Sequence, residues 1–353
     1  MVRYANFTAE ELSEFPLLIT FHMVNFYLGI ACTVVNCLLL VVFFTSKLFR
    51  SKYKLLITLA VADSLNTIAI ILMGQNRVSL YSYALEERMS LLRTSWQCAV
   101  EPWITVKLIG DLWPPIIHVV MGFERLISIM APVWYRKKME SRSYFVIVVS
   151  VLIVIIAIAV GFAIAWVKDS TGFVEYYCGR KAAFSKAYGT FVYITNVVGY
   201  TFGFLLNFAA YWKAHILKKS KNATSHLRRI RYYLLISFFS TVLVSIPNII
   251  SLCSSWIKDV NNAISKPAVW ATCVNSAINL FVYILLNPEF RRRCLALVRI
   301  RVKITVDSPQ NVVHNVPATV PTRNTVAPST FQLKLEFTQT QPNAMMSAST
   351  SNE

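Results

Sequence analysis

The sequence predicts an all-α membrane protein: a seven-transmembrane helix bundle, then an interfacial eighth helix and a disordered C-terminal tail. Two observations lead there. Seven long apolar stretches fill the first 290 residues, and basic residues crowd into alternate connections between them. A bilayer core takes about 20 apolar residues per helix. Stretches near 17–44, 55–75, 99–130, 144–167, 188–212, 230–257 and 267–287 meet that need. A hydrophobic share of 56% and a mean hydropathy of +0.52 belong to a membrane protein rather than a soluble domain.

The net charge of +18 raises nucleic-acid binding, but its distribution argues against it. Lys47, Arg50, Lys52 and Lys54 follow span 1, and Arg136, Lys137, Lys138 and Arg142 follow span 3. Lys213, Lys218, Lys219, Lys221, Arg228, Arg229 and Arg231 follow span 5, and Arg291, Arg292, Arg293, Arg299, Arg301 and Lys303 follow span 7. Glu140 and Glu289 are the acids among them. The other connections mix signs, as in Glu86, Glu87, Arg88, Lys168 and Asp169. The positive-inside rule then places the basic loops in the cytoplasm and the N-terminus outside a plasma membrane crossed several times. The division that follows is an extracellular tail over 1–16, a bundle over 17–287, an amphipathic interfacial helix over 288–303 and a disordered cytoplasmic tail over 304–353. The basic floor faces anionic lipid and an acidic partner.

The N-terminus carries acids rather than a basic signal region, so span 1 itself serves as the insertion signal. Asn6-Phe7-Thr8 is a glycosylation sequon on the outer side, whereas Asn222-Ala223-Thr224 falls inside and should stay bare. No close Cys/His pairing exists, so neither a metal site nor a cofactor is expected. Cys98 and Cys178 both fall outside, where a disulfide between them would pin the long outer loop onto helix 3. The loop 76–97 is long and polar enough for an outer lid. Residues 288–303 alternate basic and apolar positions at helical spacing, and Cys294 on that stretch is a candidate for palmitoylation. From about 305 the composition turns to Thr, Ser, Pro, Asn and Gln, too polar to bury a core. Its hydroxyls, such as Thr338 and Ser347, are candidate phosphorylation sites.

Charges within hydrocarbon cost about 2.5–3.5 kcal/mol each on insertion scales, so those present need a reason. Asp63 sits mid-span in Leu-Ala-Val-Ala-Asp, with Asn36, Asn275 and Asn279 as its interior partners. Either a structural hydrogen-bond knot or an ion- or proton-sensitive switch accounts for it. Lys107 and Asp111 lie four apart on one face of span 3, where they should point inward and pair. Pro114-Pro115 just below should break that helix locally. Glu124-Arg125 closes span 3 near its inner end.

Five features in order give the chain a resemblance. Asn36, Leu-Ala-Val-Ala-Asp63, Glu124-Arg125-Leu126 with Pro132, Pro247, and Asn279-Leu280-Phe281-Val282-Tyr283 followed by Phe290-Arg291 resemble the motifs of rhodopsin-like G-protein-coupled receptors over residues 17–300. Glu-Arg-Leu and Pro-x-x-Tyr-Arg-Lys are similar to nematode chemosensory serpentine receptors. The resemblance implies an extracellular ligand lined by Trp103, Lys107, Asp111, Tyr193 and Trp270, unless Lys107–Asp111 is a self-contained ion pair. It implies that helix 6 swings about Pro247 and opens a cytoplasmic cleft at Arg125, Tyr211 and Tyr283 for a heterotrimeric G protein, with Asp63, Glu124 and Asn279 in the switch. Arrestin and kinases would act at the tail, and sensory cilia would be the compartment.

The departures matter too. Leu126 and Leu280 replace a tyrosine and a proline, span 6 lacks its tryptophan, span 4 lacks a central tryptophan and span 5 lacks a proline. Pro114-Pro115 occupies the place of a sodium-site hydroxyl, which leaves Asp63 without that ligand. Leu227 stands where many receptors carry the acid that restrains the arginine, so a lock between helices 3 and 6 is not expected. An enzyme is not expected. A neuropeptide receptor of the same fold, a ligand-gated channel and a secondary transporter are the alternatives. A channel of the insect odorant type would have its N-terminus inside, and a transporter would need several broken helices.

Overall fold

The computed structural model describes residues 4–139, 143–169, 173–174, 176–216, 223–254 and 261–297. In chain order these form β1 (Tyr4–Asn6), α1 (Ala9–Phe44), α2 (Lys47–Lys52), α3 (Lys54–Glu87), β2 (Met89–Leu91), α4 (Ser95–Ala99) and α5 (Pro102–Met130). There follow α6 (Pro132–Trp134), a π-helical turn (Tyr135–Met139), α7 (Ser143–Asp169), α8 (Arg180–Ala183), α9 (Lys186–Ile216) and α10 (Ala223–Ser240). A second π-helical turn (Thr241–Ser245) joins α10 to α11 (Ile246–Ser254), and α12 (Asn261–Leu286) and α13 (Pro288–Leu297) are the last of the described elements. Among the described residues seven helical spans are long and apolar enough to cross a membrane: α1, α3, α5, α7, α9, Ile230–Cys253 across α10 and α11, and Ala268–Leu286 of α12.

The bundle interior is mostly apolar, with Leu39, Leu59, Ile70, Ile104 and Leu112 fully buried, and it also holds a polar minority. Asn25, Asn36, Asp63, Asn66, His118, Asn207, Asn275 and Asn279 are buried, while Leu38, Val41, Phe145, Ile155, Ile156 and Trp166 are exposed. An apolar exterior with its polar residues turned inward is what a lipid solvent selects, because hydrocarbon penalises bare polar groups. The helices differ in depth: 67% of the apolar window of α3 is buried against 17% of that of α7, so α3 is an interior helix and α7 a peripheral one. α5 packs against α3, α7 and α9, and α12 against α1, α3, α10 and α11.

Two extra-membrane segments differ from the sequence expectation. Within the segment expected as an outer tail, α1 already starts at Ala9. The Thr8 hydroxyl accepts from the Glu11 N–H at 3.3 Å, and the Glu11 carboxylate accepts from the Thr8 N–H at 2.9 Å, a capping box that starts the helix ahead of the lipid. Nor is 76–97 a lid loop. α3 continues to Glu87 and stops at Arg88, which takes the left-handed conformation with φ 57°. β2 then pairs antiparallel with β1, Asn6 opposite Met89 and Tyr4 opposite Leu91. Phe7 and Phe15 meet with ring centroids 5.1 Å apart, and Phe15 and Tyr81 at 5.3 Å, which seats the pair on α1 and α3.

The Pro114-Pro115 break does not occur, since α5 runs unbroken from Pro102 to Met130. Close packing from α9 supports it there: a Cβ on Gly199 would fall 2.6 Å from Cβ of Pro115. His118 Nδ1 donates to the Pro114 carbonyl at 3.0 Å, leaving Nε2 to accept from the Ser240 hydroxyl at 3.2 Å. Neighbouring helices sustain proline-containing spans in this way. The tail over 304–353, residues 298–303 and Asn222 lie outside the described residues.

Candidate functional site

Two ends of the bundle carry chemistry, one marked by a disulfide and the other by the basic connections. At the first, Cys98 of α4 is bonded to Cys178, with Cα atoms 5.1 Å apart. The bond fixes the segment just after Cys178 above α5, and Arg180 of α8 thereby reaches into the bundle. Its guanidinium donates to Asp111 Oδ2 at 2.6 Å and lies 5.0 Å from the Tyr193 ring centroid. Burial disfavours the charged guanidinium, but Asp111 and then Tyr193 outweigh that and hold its pKa above the ordinary value. Lys107 pairs with Asp111 Oδ1 at 2.9 Å across one turn of α5. It also donates to Asn66 Oδ1 at 2.9 Å. Asn66 reaches it because Gly110 lets α3 approach: a Cβ there would sit 2.6 Å from Cα of Asn66.

This cluster joins a polar ladder between α3 and α12. Asn66 Nδ2 donates to the Ser276 hydroxyl at 3.4 Å, and one turn below Asn279 Nδ2 donates to Asp63 Oδ2 at 2.8 Å. Of the asparagines expected around Asp63, Asn279 alone bonds to it among the hydrogen bonds described. Both side-chain polar atoms of Asn36, and Oδ1 of Asn275, are buried with no hydrogen-bond partner.

Of the expected ligand-lining residues, Lys107, Asp111 and Tyr193 come together, with Trp103 one turn above Lys107 on the same face of α5. Trp270 is held elsewhere, its indole donating to Asn25 Oδ1 at 2.9 Å and its ring centroid lying 5.7 Å from that of Phe21, both on α1. Arg180 and Asn66 were missed by sequence reasoning. Arg180 stands two residues past a half-cystine, which was the available signal.

At the basic end, the Glu124 carboxylate accepts from the Tyr135 hydroxyl at 2.6 Å and lies 3.5 Å from Arg125. Arg125 also donates to the hydroxyl of Tyr233, on α10, at 2.6 Å, with its guanidinium 4.1 Å from the ring centroid. No acid meets Arg125 from the sixth span among the described residues, but Tyr233 makes a hydrogen bond between the third and sixth spans there. Tyr211 packs with Ala214, Ile230 and Ile129. Tyr283 lies among rings, 5.4 Å from Phe43, 5.4 Å from Phe290 and 5.9 Å from Tyr232. Pro247 lies in α11 two residues after the second π-helical turn. Asn6 is exposed in β1. Cys294 in α13 is part-exposed, and burial pushes its thiol pKa up.

Seven membrane helices, a disulfide from α4, just before the third span, to the loop before the fifth, and a half-buried arginine near the basic end of the third are the marks of a G-protein-coupled receptor. The family model for the serpentine type 7TM GPCR chemoreceptor Srsx matches residues 29–298, and the chain belongs to that family. A comparison with curated proteins finds no match. Membership makes it a multi-pass plasma-membrane protein of a chemoreceptor family, one that works in lipid with heterotrimeric G proteins and is not an enzyme family.

Proposed function

We propose that the chain is a chemosensory receptor, standing with its N-terminus outside, that binds an extracellular ligand and activates a heterotrimeric G protein. The ligand sits at the disulfide end among Trp103, Lys107, Asp111, Tyr193 and Arg180, with Trp270, held against α1, outside this group. The observation that carries this reading is that α5 bears the Lys107–Asp111–Arg180 cluster near one end and the Arg125–Tyr233 tie at the other. A ligand that favours one arrangement of the cluster shifts the population of the whole bundle.

The moving part is the basic-end half of α10. A π-helical turn and Pro247, which has no N–H to give, follow it directly. Release of Tyr233 from Arg125 opens a cleft beside Tyr211 and Tyr283 for a G-protein helix, while Asp63 with Asn279 forms the hydrogen-bonded knot the swing rearranges. Glu124 orients Arg125. Asn6 carries glycan, Cys294 carries palmitate, and the tail recruits kinases and arrestin. Expression in sensory cilia fits the role. The unbroken α5 takes away the sequence's one hint of a transporter.

The test is a ligand screen with a G-protein activation readout in cells expressing the chain, beside oocytes holding the chain without G protein. Ligand-dependent nucleotide exchange is expected. A ligand-gated current or uptake in the oocytes, with no exchange in the cells, overturns the reading.

A further inference from the structure

Arg77 is an interior cation that the proposed mechanism does not use. It lies near the disulfide end of α3 and is 6% exposed, and among the described residues no carboxylate forms an ion pair with it. One nitrogen, Nη2, donates to the Cys178 carbonyl. Its carbon centre lies 5.4 Å from the Trp103 ring centroid and 5.2 Å from that of Tyr177. The other nitrogen, Nη1, is buried with no hydrogen-bond partner, and so is Nε1 of Trp103, itself 6% exposed. Two unsatisfied donors thus occur in one cation–π pair.

Aromatic faces offset part of the cost of a buried guanidinium, but they accept no N–H bond along its edge. A buried charge without a counter-charge and a buried donor without an acceptor are each unfavourable, and one oxyanion relieves both. The surroundings have the same sign. One turn along α5 from Trp103, Lys107 and Arg180 share the single carboxylate of Asp111. A cationic ligand would meet a positive field here, and an anionic one would be drawn in.

We propose that Arg77 Nη1 and Trp103 Nε1 together hold a carboxylate group of the ligand, so that the receptor detects organic acids. This rests on the receptor reading for its biological meaning, but the binding is testable without a G protein.

The experiment uses the full chain in lipid nanodiscs, labelled with 15N at the tryptophan indoles, the Trp103 resonance being assigned by its loss in Trp103→Phe. Benzoate and acetate are titrated against benzamide and acetamide at fixed ionic strength. A further arm compares a short peptide with a free C-terminal carboxylate against the same peptide amidated, which separates small acids from peptide ends. The expected result is a saturable shift of the Trp103 N–H with carboxylates and none with amides. Arg77→Gln should weaken binding by at least about tenfold, the scale of a lost hydrogen bond to a charged group. Arg77→Lys, which keeps the charge but loses the fork, should fall between. Trp103→Phe keeps the ring face and removes one donor. Followed by saturation transfer from benzoate, it too should lose affinity, which guards against misfolding of the Arg77 variants.

Equal shifts from acids and amides overturn the proposal. So does a resonance unmoved by every carboxylate up to about 100 mM, a concentration at which even very weak sites fill. Glu175 lies outside the described residues. Carboxylate binding that appears only in Glu175→Gln would identify the chain's own acid as the occupant and would also overturn it. A chain that binds acids yet drives no nucleotide exchange sinks the signalling reading alone. One that signals to uncharged ligands and ignores acids sinks this proposal alone.

Discussion

The guanidinium of Arg125 is bound to the hydroxyl of Tyr233 at 2.6 Å while resting 4.1 Å from the centroid of the same ring. One side chain of α10 therefore meets the third span through a hydrogen bond and a cation–π contact at once. Tyr233→Phe removes the first and keeps the second. A hydrogen bond to a charged group contributes about 1.5–3 kcal/mol, so agonist-independent nucleotide exchange on a co-expressed G protein should rise about tenfold or more. Tyr233→Ala should raise it further. Unchanged basal exchange in both variants would show that the tie does not restrain activation.

Arg125→Ala separates folding from signalling. The side chain is half-buried near the basic end of α5, outside the apolar core, so surface expression should persist. Nucleotide exchange should be abolished both with and without agonist. Wild-type signalling in this variant would remove Arg125 from the mechanism.

Asp111 is shared by two cations, which makes the effects of substitution unequal. Asp111→Asn leaves the half-buried Lys107 and Arg180 without their counter-charge, a loss of up to about 3 kcal/mol, the low end for breaking a buried pair. Lys107→Met leaves Arg180 paired and should cost much less. Thermal unfolding in detergent reads the order, and equal losses would mean that the carboxylate is not shared.

The disulfide closes a sequence separation of 80 residues. Its removal in Cys98→Ser should lower stability by about 2–5 kcal/mol. It should also release Arg180 from above α5, so the variant should lose ligand response even at temperatures where it remains folded. Ligand titration on surface-expressed receptor measures this.

Orientation is tested by glycan. With the N-terminus outside, enzymatic deglycosylation should sharpen the band of the wild-type chain and leave Asn6→Gln unchanged. Asn222→Gln should behave as wild type. A glycan lost with Asn222 instead would invert the topology.

The seven spans were legible in the sequence because lipid imposes one requirement, about 20 apolar residues, that composition reports directly. Their extensions were not. Beyond the hydrocarbon a helix has no reason to be apolar, and Asn76-Arg77 through Glu86-Glu87 reads as a loop although it continues α3. The Lys107–Asp111 pair was visible from its spacing, because both partners share one helix face. Arg180 and Asn66 were not visible, since a disulfide and a glycine-lined helix crossing bring them in from distant sequence. Tyr233 was not visible for a different reason: an acid would leave a charge pattern in the sequence, whereas a neutral hydroxyl on an aromatic ring binds a guanidinium without one. Pro114-Pro115 misled because proline's missing donor is a local property, whereas the continuity of α5 depends on packing by α9.

α1 and α3 contain 36 and 34 residues, which at about 1.5 Å per residue makes each roughly 50 Å long against a hydrocarbon layer of about 30 Å. The overhang at the strand pair is a stiff mast rather than a floppy stalk. A small helical protein spliced in frame at Arg88, where α3 ends, would inherit the direction of that helix. It would give electron microscopy an alignment landmark on a particle otherwise hidden in its nanodisc.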